Sequence, residues 1–445
     1  KATKAGSKAR TLAESIPERV AAVAGARVSA STSSDRVKSV ITDYALEMGF
    51  DLVRVTSAQE FNEDRNVALK RIDDGLMDGL PWFNESRVLR GTSPQELLPG
   101  ARSIICLALN YLEEGQDFGK STNPTGKVAR YAWGRDYHKL IKKRMRAYVE
   151  GLRIKLGNKF AARWYVDDGP MMDRAAASRS GLGWFGKNTN ILTPTLGSWV
   201  FLGQVVTDLE LEPDQPLKKT CGSCVRCIDA CPTGAIIAPY VIDNALCISH
   251  LTIENRGEIP LALRPQIGDW IFGCDICQDV CPVNHKAPPS PTLWYKDQVR
   301  QDQREGMEVP EPHGEQQGFA VEQVSNPANQ ERITTLDLID LLEMTEETYR
   351  LRFRGTPILR AKRVGLQRNA CVALGNKSDT VAVPALRQAL VVGEPLVRGH
   401  AAWALGRIGG TEVWDALNQA QDNEGDEGVL AEIGQALTGF NLNSR

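Results

Sequence analysis

With 445 residues the chain has room for about three domains at roughly 150 residues each, and 42% hydrophobic with 24% charged residues is the make-up of a protein that buries a core, which excludes wholesale disorder. A formal net charge of −2 excludes a polycation that binds nucleic acid by bulk charge, so any such surface must be local. No apolar run reaches the roughly 18 residues of a membrane span.

Residues 1–34 are rich in Ala, Ser, Lys and Arg, begin with Lys rather than Met, and read as an N-terminal tail without a secretory apolar core; a transit peptide is the alternative. Ser34-Asp35 predicts a cap for a helix over DRVKSVITDYALEMGF. From 35 to 215, strand-like runs alternate with helical ones. SIICLALNYL and WVFLGQVVTDLEL are rich in β-branched and aliphatic residues, whereas YHKLIKKRMRAYVEGLRIKL and DRAAASRSGL read as helices. The alternation predicts an α/β domain. Residues 216–289 hold most of the cysteines among Gly and Pro, 290–333 read as a long polar connection, and 334–445 read as helical. In that last segment Ala373-Leu374-Gly375 recurs as Ala404-Leu405-Gly406, and Ala385-Leu386 as Ala416-Leu417, both at an offset of 31, with a weaker copy at Ala436-Leu437. A two-helix repeat of this length predicts a HEAT-like solenoid; a helix hairpin with chance similarity is the plainer alternative.

Eight of the ten cysteines lie between 221 and 281. CGSCVRCIDACP places Cys221, Cys224, Cys227 and Cys231 at the spacing of a bacterial ferredoxin run ending in Cys-Pro. The second set is stretched: Cys247 stands apart from Cys274, Cys277 and Cys281, and the last is again followed by Pro. In two-cluster ferredoxins the fourth cysteine of each run serves the other cluster. That predicts one [4Fe–4S] cluster on Cys221, Cys224, Cys227 and Cys281 and a second on Cys247, Cys274, Cys277 and Cys231. A pair of zinc sites is the alternative, but zinc normally takes separated Cys-x2-Cys pairs. Cys106 and Cys371 sit in apolar runs and read as core residues. Clusters move electrons without choosing a substrate, so the redox site they feed is expected in the first domain.

That domain has neither a dinucleotide-binding glycine fingerprint nor a P-loop. Three segments stand out: Ala132 to His138, Tyr165 to Pro170, and the glycine-rich Gly181 to Asn188. Asp167, at the end of an apolar strand, suits a tuned acid; capping the next helix is the structural alternative. WGRDYH, YVDDGPMMDRAAASRSGLGWFGKN, CGSCVRCIDACPTGAI, CISHLTIE and GCDICQDVCPVN, in this order and followed by helical repeats, resemble the epoxyqueuosine reductases over residues 36–445.

The resemblance implies a nitroreductase-like α/β cobalamin domain related to reductive dehalogenases, a ferredoxin-like domain with two [4Fe–4S] clusters, and all-α HEAT-like repeats. It implies a cytoplasmic enzyme that reduces epoxyqueuosine to queuosine at the wobble position of tRNA, the last step of that synthesis. Its partners would be a tRNA anticodon stem-loop and an electron donor such as flavodoxin or ferredoxin, with no membrane and a monomeric chain. Asp167 falls on the family's proton donor, with Asp168 where Thr is usual, a neighbouring charge that would raise the Asp167 pKa if both were buried. Arg87, Ala129, Asp167, Ile191, Leu202, Asp275 and Ile276 fall on cobalamin contacts, and Ser249 on a tRNA contact. Asp136-Tyr137-His138 begins the Asp-x-His-x-x-Gly pattern of a His-ligated cobalamin, but residue 141 is Ile, so Asp136 and His138 read as pocket-wall or nucleic-acid residues.

Two runs carry concentrated positive charge. Residues 350–368 hold seven Lys/Arg and no acid, and residues 138–159 hold eight against one Glu. With a tRNA substrate implied, Arg360, Lys362 and Arg363 read as phosphate contacts, against the alternative of a solvated helix face. A small-organohalide dehalogenase and a non-enzymatic electron-transfer subunit are the other function classes; the first leaves the basic repeats unexplained, the second the large first domain.

Overall fold

In the first domain the strands run β1 (Leu52–Ser57), β2 (Ser103–Asn110), β3 (Thr125–Val128), β4 (Ala162–Tyr165), the short pair β5 (Trp184–Phe185) and β6 (Ile191–Leu192), and β7 (Val200–Thr207). The computed structural model describes residues 33–113, 122–290 and 333–443; nearly all of the expected tail and connection lies outside them. Strands β1, β2, β7 and β4 form, in that order, an antiparallel sheet in which Ser103 to Asn110 pairs with Thr207 to Val200. The mixture of helix and strand is as expected; within this four-stranded sheet every pairing is antiparallel.

All eight positions of β2 are buried, as a strand covered on both faces requires. Its alternation assigns the faces. Ile105, Leu107 and Leu109 pack with Ile41 of α1 (Ser33–Glu47) and with Met145, Tyr148 and Val149 of α2 (Tyr137–Leu156). Ile104, Cys106 and Ala108 pack with Phe61, Leu97 and Ala175 to Ala177 of α3 (Asp173–Arg179). Helix α2 is the predicted YHKLIKKRMRAYVEGLRIKL segment. The Asp136 side chain caps its start, it buries Tyr137, Ile141, Met145, Tyr148, Val149 and Leu152 at helical spacing, and it ends at Gly157 with φ +60°.

A second sheet ties the three parts of the chain together. β3 pairs in parallel with β8 (Trp270–Phe272), from the cysteine region, and antiparallel with β9 (Thr335–Asp337). The C-terminal segment, expected to be helical from 334, therefore begins with a strand. Beyond it α5 (Lys362–Lys377), α6 (Val383–Val392), α7 (Pro395–Ile408), α8 (Thr411–Asn423) and α9 (Glu427–Asn443) stack as repeats. The repeated Ala-Leu-Gly marks the helix crossings. A Cβ on Gly375 would stand 3.0 Å from the Ala404 Cα, and one on Gly406 would stand 2.8 Å from the Ala436 Cβ.

The repeats dock on the cysteine region through buried polar groups. Arg368 donates to the carbonyls of Leu251, at the C-terminal half of α4 (Ile248–Ile253), and of Asn255 and Gly257, while Asn369 donates to Thr252 and Ile271. Arg264 pairs with Glu432 through two hydrogen bonds of 2.8 and 2.5 Å. Among the described residues no helix is long and apolar enough to cross a membrane.

Candidate active site

The turn after β4 carries Asp167 in a left-handed conformation, φ +44°, costly for a residue with a Cβ and so maintained by its surroundings. Its amide donates to the buried Asp173 carboxyl at the start of α3. One carboxylate oxygen, Oδ2, accepts the Tyr137 hydroxyl, and the other, Oδ1, lies 2.6 Å from Nε2 of His138. Nδ1 of that ring is 2.7 Å from Asp136 Oδ1. Asp136, the N-cap of α2, thus orients an imidazole whose far side meets Asp167, and the first turn of one helix supplies three of the four groups.

Electrostatics follow from this chain. Burial disfavours the charged imidazole, but the hydrogen bonds and charges of Asp136 and Asp167 outweigh it and push His138 up to about 9. For Asp136, burial raises and the His138 contacts lower more strongly, leaving the carboxyl below its ordinary value. Burial, then the Asp167 charge, pushes Asp173 up to about 7. Asp167 itself departs from expectation: its side chain is 50% exposed, so hydrogen bonding rather than desolvation defines its setting. Asp168 is 33% exposed and paired with Lys142, so the two carboxyls are not buried together as that reading required. His138 and Asp136, expected from sequence as pocket-wall or nucleic-acid residues, join one hydrogen-bonded chain with Asp167, and Tyr137, given no role by the sequence, joins it too. The available signal was the Asp before a strong helical run, which places the next two side chains together in its first turn.

Arg87 donates to the Gly169 carbonyl and lies 4.9 Å over the Trp82 ring, bracing the turn that follows Asp167. Ile191, in β6, is buried, and Leu202, in β7, is half-buried; both belong to the apolar cluster below the turn. Ala129 is buried against Gly273. The Asp275 carboxylate accepts from the Arg130 amide at 2.8 Å and its guanidinium at 3.2 Å, while burial pushes it up to about 6. Ile276 follows it, half-buried.

The eight clustered thiols gather as two groups of four. Burial raises Cys227, and the charges it senses are those of Cys221, Cys281 and Cys224. Burial pushes Cys274 up to about 12, with Cys247 and Cys231 as its thiol neighbours, and raises Cys277 beside Cys274 and Cys247. Cys281 thus neighbours the thiols of the first run and Cys231 those of the second, while Cys277 also senses Cys227 across the two groups. The Cys247 thiol accepts from the amides of His250 and Ser249, the kind of N–H contact that steadies a ligating sulfur. Cys106 and Cys371 are fully buried, as expected.

The basic run 350–368 is less free than its sequence suggests. Arg350, Arg352, Arg360 and Arg363 pair with Glu346, Asp340, Glu254 and Glu394 respectively, and Arg368 is buried on carbonyls. Lys362 is exposed and forms no ion pair among the described residues. Arg363 is 18% exposed and committed to two glutamates, so its reading as a phosphate contact is corrected. Arg360 stands on the turn that packs against α4, which carries Ser249, and its charge is felt by both Arg87 and Tyr131. The helix that carries Ser249 and the turn that carries Arg360 are therefore packed together from distant points in the sequence.

Residues 92–168 match the family model described as Epoxyqueuosine reductase QueG, DUF1730; residues 220–284 match the 4Fe-4S double cluster binding domain, and residues 356–438 match HEAT repeats. The chain is 33% identical to an epoxyqueuosine reductase of Bacillus cereus over 406 residues, 91% of this chain and 97% of that protein. It is 35% identical to one of Pseudomonas aeruginosa, covering 84% of this chain and 96% of that protein. A crystal structure of epoxyqueuosine reductase with an epoxyqueuosine-modified tRNA-Tyr stem loop matches with a TM-score of 0.78 at 30% identity, covering 91% of this chain and 99% of that one. The Streptococcus thermophilus enzyme matches with a TM-score of 0.77 at 26% identity, over 91% and 100%.

Proposed function

This chain belongs to the epoxyqueuosine reductase family, and from that premise we propose that it reduces epoxyqueuosine to queuosine in tRNA, with Asp167 and His138 handling the proton. The observation that carries the mechanism is the Asp136–His138–Asp167 chain, with ring-to-carboxylate distances of 2.7 and 2.6 Å, at a half-exposed mouth. Converting an epoxide to an alkene takes two electrons and two protons, and the oxygen leaves as water. An alkoxide leaves poorly, so a positioned acid lowers the barrier. Asp167 delivers a proton to the departing oxygen from the carboxylate held by Tyr137, and His138 Nε2–H replaces it across the 2.6 Å contact. Asp136 stabilises the charged ring from its other side, and the partly exposed imidazole recovers a proton from solvent.

Cys221, Cys224, Cys227 and Cys281 would hold one [4Fe–4S] cluster and Cys247, Cys274, Cys277 and Cys231 the other; the two thiol groups support that assignment. Cobalamin fits beside Asp167. The buried acceptors Asp173 Oδ1 and Gln204 Oε1 lack partners, and Gln204 shares the β7 face of Leu202. Amide groups on a corrin rim satisfy such acceptors. Arg87, Ala129, Ile191, Leu202 and the Asp275–Ile276 backbone would line it, and when bound it supplies low-potential electrons at the substrate carbon. Ser249, Arg360 and Lys362 would meet the tRNA stem-loop. The chain works as a cytoplasmic monomer fed by an external electron carrier.

Anaerobic turnover of epoxyqueuosine-containing tRNA, read by nucleoside mass spectrometry, tests this function. Queuosine appears if it is right, and unchanged epoxyqueuosine with a fully loaded enzyme contradicts it.

A further inference from the structure

The two thiol groups differ in what surrounds them. Around Cys247, Cys274 and Cys277 the neighbours Ile248, His250, Gly273 and Asp275 are buried, and this group lies on the Arg130 and Asp167 side of the molecule. Around Cys221, Cys224 and Cys227, the loop residues Gly222, Ser223, Val225 and Arg226 are exposed. An electron entering from outside meets this second group first.

That exposed rim is cationic. Lys218, Lys219, Arg226 and Lys286 are exposed, and none forms an ion pair among the described residues. Lys219 lies 5.4 Å over Trp184, which packs on Cys221 and Cys281, so its charge stands beside this group. The buried Lys187 donates to the Gly222 carbonyl at 2.8 Å, adding a cation inside the same loop. Arg226 and His285 line an open concavity of about 460 Å³ with Ala230 and Val280, residues that immediately precede Cys231 and Cys281. Asp229 is the acid in its lining. Neither Asp167 nor any residue of its hydrogen-bonded chain lines this hollow.

We infer that this rim is the docking surface for an acidic one-electron carrier protein, which delivers electrons through the cluster site of Cys221, Cys224, Cys227 and Cys281. The inference rests on the cluster assignment proposed above. Each visit oxidises the carrier by one electron and reduces the chain's iron–sulfur relay by one; two visits supply the two electrons of one epoxide, and the two protons enter separately through the acid site. Electron-transfer encounters of this kind are small and steered by complementary charge, so their rates fall as salt rises.

The test uses anaerobic holoprotein with flavodoxin hydroquinone as the acidic probe, following cluster bleaching by stopped flow. The triple variant Lys218→Glu, Lys219→Glu, Arg226→Glu is expected to be reduced about tenfold or more slowly at low salt and to lose most of the salt dependence. Reduced methyl viologen, a small cation, should reduce it no more slowly than wild type, and its affinity for a tRNA stem-loop should be unchanged. An unaltered flavodoxin rate overturns the proposal. So does an equal slowing with methyl viologen, which would locate the damage at the cluster, and so does a loss of tRNA affinity, which would assign the rim to RNA. If the triple variant loses iron, Lys218→Glu with Lys219→Glu, outside the cysteine run, carries the same test. Wild-type protein that reconstitutes without two four-iron clusters would overturn the cluster assignment instead.

Discussion

At the seam between the repeats and the cysteine region, Arg264, Glu432, Arg368 and Asn369 are buried and hydrogen-bonded to one another or to carbonyls. At the mouth beside β4, Asp167 is half exposed, backbone-strained and joined to Asp136 through one imidazole. Both regions concentrate charge, but the seam closes each group on a partner that never changes, whereas the mouth leaves a proton with two owners. The first arrangement fixes architecture; the second holds a proton where a leaving oxygen can take it. Charge alone therefore does not mark function in this chain, and the basic run 350–368 teaches the same lesson, since four of its arginines are already paired.

The largest effect that sharpens the contrast is expected at Asp167. Asp167→Ala should retain both clusters, cobalamin and tRNA affinity, yet lose about 10²–10⁴-fold in single-turnover rate, the usual worth of a positioned acid. Arg264→Ala should do the reverse. It leaves Glu432 buried without its cation, which typically costs about 3–5 kcal/mol, visible as a lower urea midpoint with chemistry in the folded fraction unchanged. Arg264→Met with Glu432→Leu should regain most of that loss; a double variant as unstable as the single would break the distinction.

A smaller effect belongs to the repeats. Gly406→Ala puts a methyl against Ala436, and overpacking of that kind costs about 1–3 kcal/mol in thermal unfolding, with cofactor spectra unaltered. Smallest is Asp168→Thr. It removes a surface pair with Lys142, at most about 1 kcal/mol, and should leave the rate near wild type. A large rate loss there would mean the pair shapes the acid site after all.

Much of this was legible in sequence because it rests on local pattern. The Cys-x2-Cys-x2-Cys run of Cys221 to Cys227 and the stretched second set mark the cysteine region, the run YHKLIKKRMRAYVEGLRIKL gives α2, and the repeated Ala-Leu-Gly marks where helices cross. What escaped depended on contacts between distant segments. The strand β9 is three residues long and exists because β3 pairs with it. His138 meets Asp167 only when the turn after β4 brings the carboxylate to Nε2, and Asp168 meets Lys142 only because α2 packs beside that turn. The segments of Arg360 and Ser249 meet through packing that no periodicity encodes.

The claim that a proton held between His138 and Asp167 drives epoxide opening is tested most directly by a single-turnover pH profile of loaded wild type beside His138→Gln. The imidazole pKa is raised from the ordinary 6.5 to about 9 in the folded chain. The ion pair's contribution to stability is therefore complete below about 6.5 and lost as pH rises through about 9, and the proton available to Asp167 is lost over the same upper limb. The account predicts a wild-type rate that falls through about pH 9 and a slower His138→Gln enzyme whose profile lacks that limb. An identical alkaline limb in the two proteins would contradict it.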